Sequence, residues 1–270
     1  MVSNIAMRRK MSTILIVDDE PLAVERVQVI CAEIPSVRVI GTASDGAAAL
    51  PIAIGAFSLA SSAAVTRGVL RFARLAAISS SSMRAVTAFI DRDNINTLLR
   101  ENGITGDIGL LSIDIDGNDY WIWEAIDCIS PRIVICEYDS LLGPDRKVTT
   151  PYDPAFDRIT AHYSFLYGGA SLAALDHLAR RKGYALVGSN SAGNNAFFVR
   201  EDVRGTLPAV TPTQAYVQAK FRNSRDRQGR FTFLPFAECR QLIADMPVVD
   251  VEQNITIPIR DIVSTASSAL

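Results

Sequence analysis

Histidine is scarce in this chain: there are two in 270 residues, His162 and His177, each standing alone. The four cysteines, Cys31, Cys128, Cys136 and Cys239, form no C-x-x-C pair and no regular framework, which argues against both a zinc site and a disulfide scaffold. Cys31 and Cys136 lie in apolar runs, where a reduced thiol packs as a small hydrophobe, so the expected compartment is the cytoplasm. A basic field is lacking as well. With 27 Lys and Arg against 29 Asp and Glu, the net charge is -2, and no nucleic-acid partner is expected. The one basic stretch, Arg200 to Arg230, is interrupted by Glu201, Asp202 and Asp226 and reads as solvated surface. Long runs of Leu, Ile and Phe are missing too. Gly46 to Thr66 carries no charge and is followed by Arg67, Arg71 and Arg74, but it is built from Ala, Gly and Ser with Pro51 inside, so no membrane span is expected. The apolar run Thr13 to Val17 is too short for a signal-peptide core and ends in Asp18, Asp19 and Glu20, so secretion is not indicated.

What is present is ample material for a core, 49% hydrophobic residues, in a length that holds one large domain or two small ones. Thr13 to Val17 is a β-branched run ending in acids, the pattern of a buried parallel strand, and Val37 to Ile40 reads as a second. Between them Pro21 suits a first helical turn. Leu59 to Ile78 reads as a helix with Val65, Val69, Phe72 and Leu75 inward, and Ser79 to Ser82 as a link. Beyond it come a strand at Val86 to Ile90, a helix at Asn94 to Glu101 and a buried strand at Ile108 to Ile115. Trp121 to Ile126 follows as a helix and Arg132 to Glu137 as a strand. Ser171 caps a helix that runs to Lys182 and stops at Gly183, and Tyr184 to Gly188 with Ala196 to Arg200 form a closing hairpin. Alternating strands and helices of these lengths predict an α/β fold, a doubly wound, Rossmann-like, mostly parallel sheet.

Two family resemblances divide the chain. Ile14 to Ala23 (ILIVDDEPLA) and Val39 to Leu50 (VIGTASDGAAAL) resemble the first two βα units of a response-regulator receiver, over about forty residues. In that family the acids after the first strand hold Mg²⁺, and Asp18 and Asp19 match those positions. The acceptor Asp strand, the switch Thr or Ser and the Lys-Pro expected after Leu50 do not follow, so a receiver-type phosphorelay is the weakest of three functional readings. Ala88 to Asn96 (AFIDRDNIN), Leu110 to Glu124 (LLSIDIDGNDYWIWE), Gly168 to Leu172 (GGASL) and Gly193 to Val199 (GNNAFFV) resemble a bacterial family related to the FkbM-type methyltransferases. This second resemblance covers about two thirds of the chain. The implied organisation is a tail at 1–11, a receiver-like fragment at 12–50, a junction at 51–83, a methyltransferase-like half at 84–200 and an extension at 201–270.

The second resemblance implies O-methyl transfer from S-adenosylmethionine to a hydroxyl of a sugar or small metabolite. The residues themselves place Asp114, Asp116 and Asp119 at the carboxyl end of a central strand, where open α/β sheets bind ligands, and Glu137 at the end of the next. A carboxylate there serves as a base or holds a divalent ion, so Asp114, Asp116 and Glu137 are the candidate catalytic residues. Asp119 alternatively caps the helix that follows. Trp121 and Trp123 cannot face the same way on a helix, so one packs on the sheet and the other is free to line the cleft. His177 falls inside a helix. His162 lies in the aromatic segment Pro151 to Tyr167, of a kind that covers active sites.

The cofactor site departs from the family. Its Gly-rich turn after the first strand is replaced by Asp18-Asp19-Glu20-Pro21, which leaves Asp91 as the candidate cofactor contact and implies impaired S-adenosylmethionine binding. The alternative reading is a non-catalytic remnant or a divalent-metal module. If the receiver-like head completes the methyltransferase-like sheet, its first strand lies directly beside Ile108 to Ile115, and Asp18, Asp19 and Asp114 share a weak Mg²⁺ site.

Overall fold

The computed structural model describes residues 12–17, 32, 37–43, 57–61, 73–79, 82–220 and 223–262, the strands before residue 88 by their backbone. Strands β1 (Ser12–Val17) and β2 (Val37–Ala43) pair in parallel as a two-stranded sheet. The main sheet has seven strands. β3 (Phe57–Ser61), β4 (Ala73–Ser79) and β5 (Ser82–Ala88) form an antiparallel meander. β6 (Gly106–Asp114) and β7 (Ile129–Glu137) are the parallel centre, and β9 (Tyr184–Ser189) with β10 (Asn195–Arg200) is the closing hairpin. The order across the sheet is β5-β4-β3-β6-β7-β10-β9.

The fold is therefore mixed α/β and compatible with a Rossmann-like arrangement. The sheet itself is mixed: β3, β6 and β7 pair in parallel and β5 and β9 point the same way, while β4 and β10 run against their neighbours. Two expectations are corrected. β1 is not paired with β6 in the sheet. That seat belongs to β3, whose Phe57, Leu59 and Ala60 pair with Leu111, Ile113 and Asp114. Residues 57–61 and 73–79, both within or next to the expected helix at Leu59 to Ile78, are strands instead. The alternation Phe57-Ser58-Leu59-Ala60-Ser61 suits a strand as well as a helix, and a place beside a strand as apolar as β6 outweighs a weak helical preference. Asp18 and Asp19 lie outside the described residues, as does the helical turn expected at Pro21.

Helices α1 (Ile95–Glu101), α2 (Asp119–Ala125) and α4 (Leu172–Arg181, following the short α3, Arg158–Ala161) cover one face of the sheet. α4 shows why the sequence folds so. Ser171 Oγ accepts from the Ala174 backbone N–H, Arg180 and Arg181 sit in the last turn, and Gly183 continues at φ +83° where the helix must stop. Its inward residues Leu172, Leu175 and Leu178 are buried to 1% exposure or less, each contributing about 1.5–3 kcal/mol. They meet Ile95, Leu99, Trp123, Leu111, Ile113, Val134 and Phe198 in one core. The opposite face is buried too, at Ile133, Phe197 and Val199, as a sheet covered on both sides requires.

A second, smaller core lies at the carboxyl edge. β8 (Val148–Thr149), β11 (Pro247–Asp250) and β12 (Ile255–Pro258) form a three-stranded sheet. Val148, Ile243, Val248 and Ile259 pack there with Leu141, Leu166 and Cys239, and α5 (Phe236–Leu242) closes the cluster. The described part of the extension is thus built into the fold through β11 and α5. No helix among the described residues is long and apolar enough to cross a membrane.

Candidate functional site

β6 and β7 pair up to Ile113 and Cys136, so their next residues, Asp114 and Glu137, emerge side by side at the carboxyl edge. Asp116 follows in a tight turn at φ +62°, a left-handed conformation rare for a residue with a side chain. Asp119 holds that turn. Its carboxylate accepts from the Ile115 N–H at 2.9 Å and the Gly117 N–H at 3.0 Å, and the residue is wholly buried. The capping role considered for Asp119 is therefore a brace on the turn, since the N-cap of α2 is Asn118 and makes no side-chain cap bond.

The turn brings Asp114, Asp116 and Glu137 together, with one carboxylate oxygen of each within 4.8 Å of the others. All three candidate catalytic residues thus share one site. Burial pushes the Asp114 carboxyl up to about 7, helped by the charges of Asp119 and Asp116 and opposed by Arg158. Glu137 is raised well above its ordinary range by burial and by Asp114. Burial carries Asp119 up to about 6 against the pull of its backbone donors Ile115, Gly117 and Asp119 itself, and Asp139 likewise to about 6 against Arg158.

The segment Pro151 to Tyr167 lies over this edge, as the sequence suggested. Thr150 Oγ1 donates to the Gly117 carbonyl at 2.9 Å, Asn118 Nδ2 to the Asp153 carbonyl at 2.8 Å and Trp121 Nε1 to the Thr150 carbonyl at 2.9 Å. Trp121 is thus committed to the cover, while Trp123 packs on Phe198 in the core. The cover also delivers Arg158 from α3. Its Nη1 meets Asp116 Oδ1 at 3.2 Å and its Nε donates to the Phe165 carbonyl at 2.8 Å. Burial works against the Arg158 charge, but Glu137, Asp139 and Asp116 outweigh it and raise its pKa. A cavity of about 340 Å³ opens beside Asp116, Glu137, Asp139 and Arg158, and Asn194 and Lys220 are also in its lining.

Sequence reasoning missed Arg158 and Asp139. Asp139 had a signal, because it stands two residues beyond Glu137; its Oδ1 accepts from the Leu141 N–H at 2.8 Å, and its Oδ2 is buried without a hydrogen-bond partner. His162 bonds Ser164 Oγ at 2.7 Å and does not line the cavity, and His177 sits on α4. Asp91 Oδ1 accepts from the Asp93 and Asn94 N–H groups at 2.8 Å each, so that oxygen shapes the turn into α1. Of the expected metal set, Asp114 is in the cluster, and Asp18 and Asp19 fall outside the described residues.

Two results follow from this geometry. A Cβ on Gly117 would stand 2.1 Å from Phe156 Cε1, so Gly117→Ala must displace the ring that seats the cover. Thermal unfolding should show a loss of about 1–2 kcal/mol, an overpacking cost; an unchanged melting temperature would mean that the cover is not seated there. The second concerns pH. Carboxyls whose folded pKa is raised add stability that is complete below their ordinary pKa of about 4 and is lost as pH rises through about 6–7. In the presence of a chelator, Asp114→Asn should raise the pH 8 melting temperature by about 2–6 °C, some 1–2 kcal/mol, with little change at pH 4.5. A variant that tracks the wild type at every pH would contradict this.

S-adenosylmethionine fits this edge poorly. The strand beside β6 is β3, and Ser61 is followed by Ser62, Ala63 and Ala64, with no glycine to let the backbone approach a cofactor. The next strand, β4, runs the other way, so its carboxyl end cannot bring an acid to the same edge. No family model, no curated protein and no solved structure matches the chain.

Proposed function

We propose that the chain is a methyltransferase-like domain with an impaired hold on S-adenosylmethionine, whose working part is the acidic cleft at the ends of β6 and β7. In this reading the cleft takes a divalent ion on Asp114, Asp116 and Glu137, and through the ion a hydroxyl of a sugar or small metabolite. The observation that carries it is the convergence of three carboxylate oxygens within 4.8 Å. Oxygens that share one ion with bonds of about 2.1–2.4 Å stand at most about 4.2–4.8 Å apart, so three oxygens within 4.8 Å of one another are close enough to converge on a single divalent ion, Ca²⁺ tolerating the wider spacing better than Mg²⁺. The ion would offset the burial and, after it, the mutual repulsion that raise Asp114 and Glu137. A hydroxyl bound to it becomes more acidic, and a neighbouring carboxylate can accept its proton.

A second reading, a non-catalytic remnant, is favoured by Arg158, whose guanidinium already occupies Asp116. Thermal shift separates the two. Millimolar Ca²⁺ should raise the wild-type melting temperature and leave Glu137→Gln unmoved; equal response of both proteins would place the ion elsewhere, and no response would favour the remnant. Calorimetric titration with S-adenosylmethionine should show no micromolar binding. Micromolar affinity would mean that another loop has replaced the missing glycines and that the hold on the cofactor is intact.

A further inference from the structure

The segment that covers the acidic cleft is lightly held. From Pro151 to Tyr163 no residue is buried, between the buried Thr150 on one side and the buried Ser164 on the other. Stretches with so few buried contacts open at low cost. The bond of Asn118 to the Asp153 carbonyl and the pair of Arg158 with Asp116 tie the segment to the turn after β6. Arg158 is thus both a fastening of the cover and a cation of the cleft.

Both residues that receive this guanidinium lie in the left-handed region. Asp116 holds φ +62°, and so does Phe165, whose carbonyl takes Arg158 Nε at 2.8 Å. For a side chain as bulky as Phe165 this conformation is an outlier, and such strain persists where the surrounding structure enforces it. The guanidinium also stands in the way of an ion. An ion held by Asp114, Asp116 and Glu137 takes Asp116 as a ligand, and two cations on one carboxylate repel each other. The cavity offers the guanidinium a second acid. Asp139 lines it together with Arg158, and while Asp139 Oδ1 accepts from the Leu141 N–H, its Oδ2 is buried without a hydrogen-bond partner. A carboxylate oxygen left in that state is costly, and a guanidinium is a donor that remedies it. Asp139 stands outside the cluster of three carboxylates, so an ion in the cluster does not occupy it.

We propose that Arg158 is an exchangeable counter-ion, which holds Asp116 while the cleft is without metal and passes to Asp139 when a divalent ion takes Asp114, Asp116 and Glu137. The inference rests on the ion-holding reading of the cleft and adds its regulation. As the ion arrives, the cover loses one of its fastenings on the turn after β6, so the ion precedes the ligand that the cavity admits. Ion affinity is set by the exchange: the guanidinium must be moved before the ion is fully bound, and Asp139 lowers the cost of moving it.

The test is calorimetric titration of the full chain with Ca²⁺ at pH 8, where Asp139, raised to about 6, is ionised, in a double-mutant cycle of Arg158 and Asp139. Arg158→Gln should bind Ca²⁺ at least about 5-fold more tightly than the wild type, the lower end of the usual coupling between two sites. Arg158→Met, also uncharged, should do the same, and a gain of affinity is not what a loss of structure produces. Asp139→Asn keeps an oxygen for the Leu141 N–H and should weaken Ca²⁺ binding at least about 2-fold. In the Arg158→Gln background the same substitution should change little, since no guanidinium is left to receive. Equal or weaker binding by both Arg158 variants, or equal weakening by Asp139→Asn in the two backgrounds, would overturn the exchange while leaving the ion site in place. Lys220→Gln removes the other cation of the cavity lining and should tighten Ca²⁺ less than Arg158→Gln does; equal tightening would make the effect one of overall charge and overturn the exchange as well. Absence of Ca²⁺ binding in the wild type and in every variant would overturn the ion-holding reading, and the exchange with it.

Discussion

Arg158→Gln is expected to lower the melting temperature at pH 8 by roughly 6–12 °C, about 3 kcal/mol for a chain of this size. The guanidinium is the cation that the cover places among the carboxylates, 3.2 Å from Asp116 and felt by Glu137 and Asp139. Its side chain keeps 26% of its exposure, so the loss falls at the lower end of the about 3–5 kcal/mol seen when a buried pair is broken. The loss should shrink at pH 5, where Asp114, Asp139 and Asp119, all raised to about 6 or 7, are largely protonated and no longer need a counter-charge. Calcium should also restore the variant. With Arg158 gone, an ion meets less competition for Asp116, and at about 100 times its dissociation constant it returns about 2.7 kcal/mol. A loss of equal size at both pH values, with no response to calcium, would mean that Arg158 acts through packing and not charge.

Trp123→Ala should cost about 3–5 kcal/mol, the usual penalty for emptying a large aromatic site. Trp123 is 2% exposed and packs against Phe198 at 4.9 Å and Tyr184 at 6.0 Å between ring centres, joining α2 to the closing hairpin. The same helix begins at Asp119, whose carboxylate braces the turn that carries Asp116. Weakening its seat on the sheet therefore loosens the acidic cleft as well as the core. Denaturant unfolding should show the midpoint falling with little change in slope. A midpoint within experimental error of the wild type would show that α2 does not need this ring. Trp121→Phe is the control, since it removes one bond to the Thr150 carbonyl and should cost only about 1 kcal/mol.

The half of the chain that the sequence described well is the half with strong local signals. β6 and β7 are apolar runs, α4 has both a Ser171 cap and a Gly183 stop, and β9 and β10 flank a polar turn, so their positions agree with expectation to within a few residues. The meander from β3 to β5 was not legible, because 57–79 mixes Ala, Ser and isolated apolar residues that satisfy either period. That ambiguity also hid the neighbour of β6, which no local pattern encodes. Within the site, Asp114, Asp116 and Glu137 were readable as acids at strand ends. Arg158 was not, because it reaches the cleft from a cover 42 residues further along the chain, through bonds such as that between Asn118 and the Asp153 carbonyl.

The most direct measurement of the central claim is titration of the chain with Mn²⁺, counting bound ions by electron paramagnetic resonance, beside Asp114→Asn and Glu137→Gln. One ion per wild-type chain is expected, with a dissociation constant on the order of 0.1–1 mM, as for a site of few ligands that keeps its waters. Both variants should lose it. Absence of bound Mn²⁺ in the wild type, or the same stoichiometry and affinity in all three proteins, would contradict an ion-holding cleft at the ends of β6 and β7.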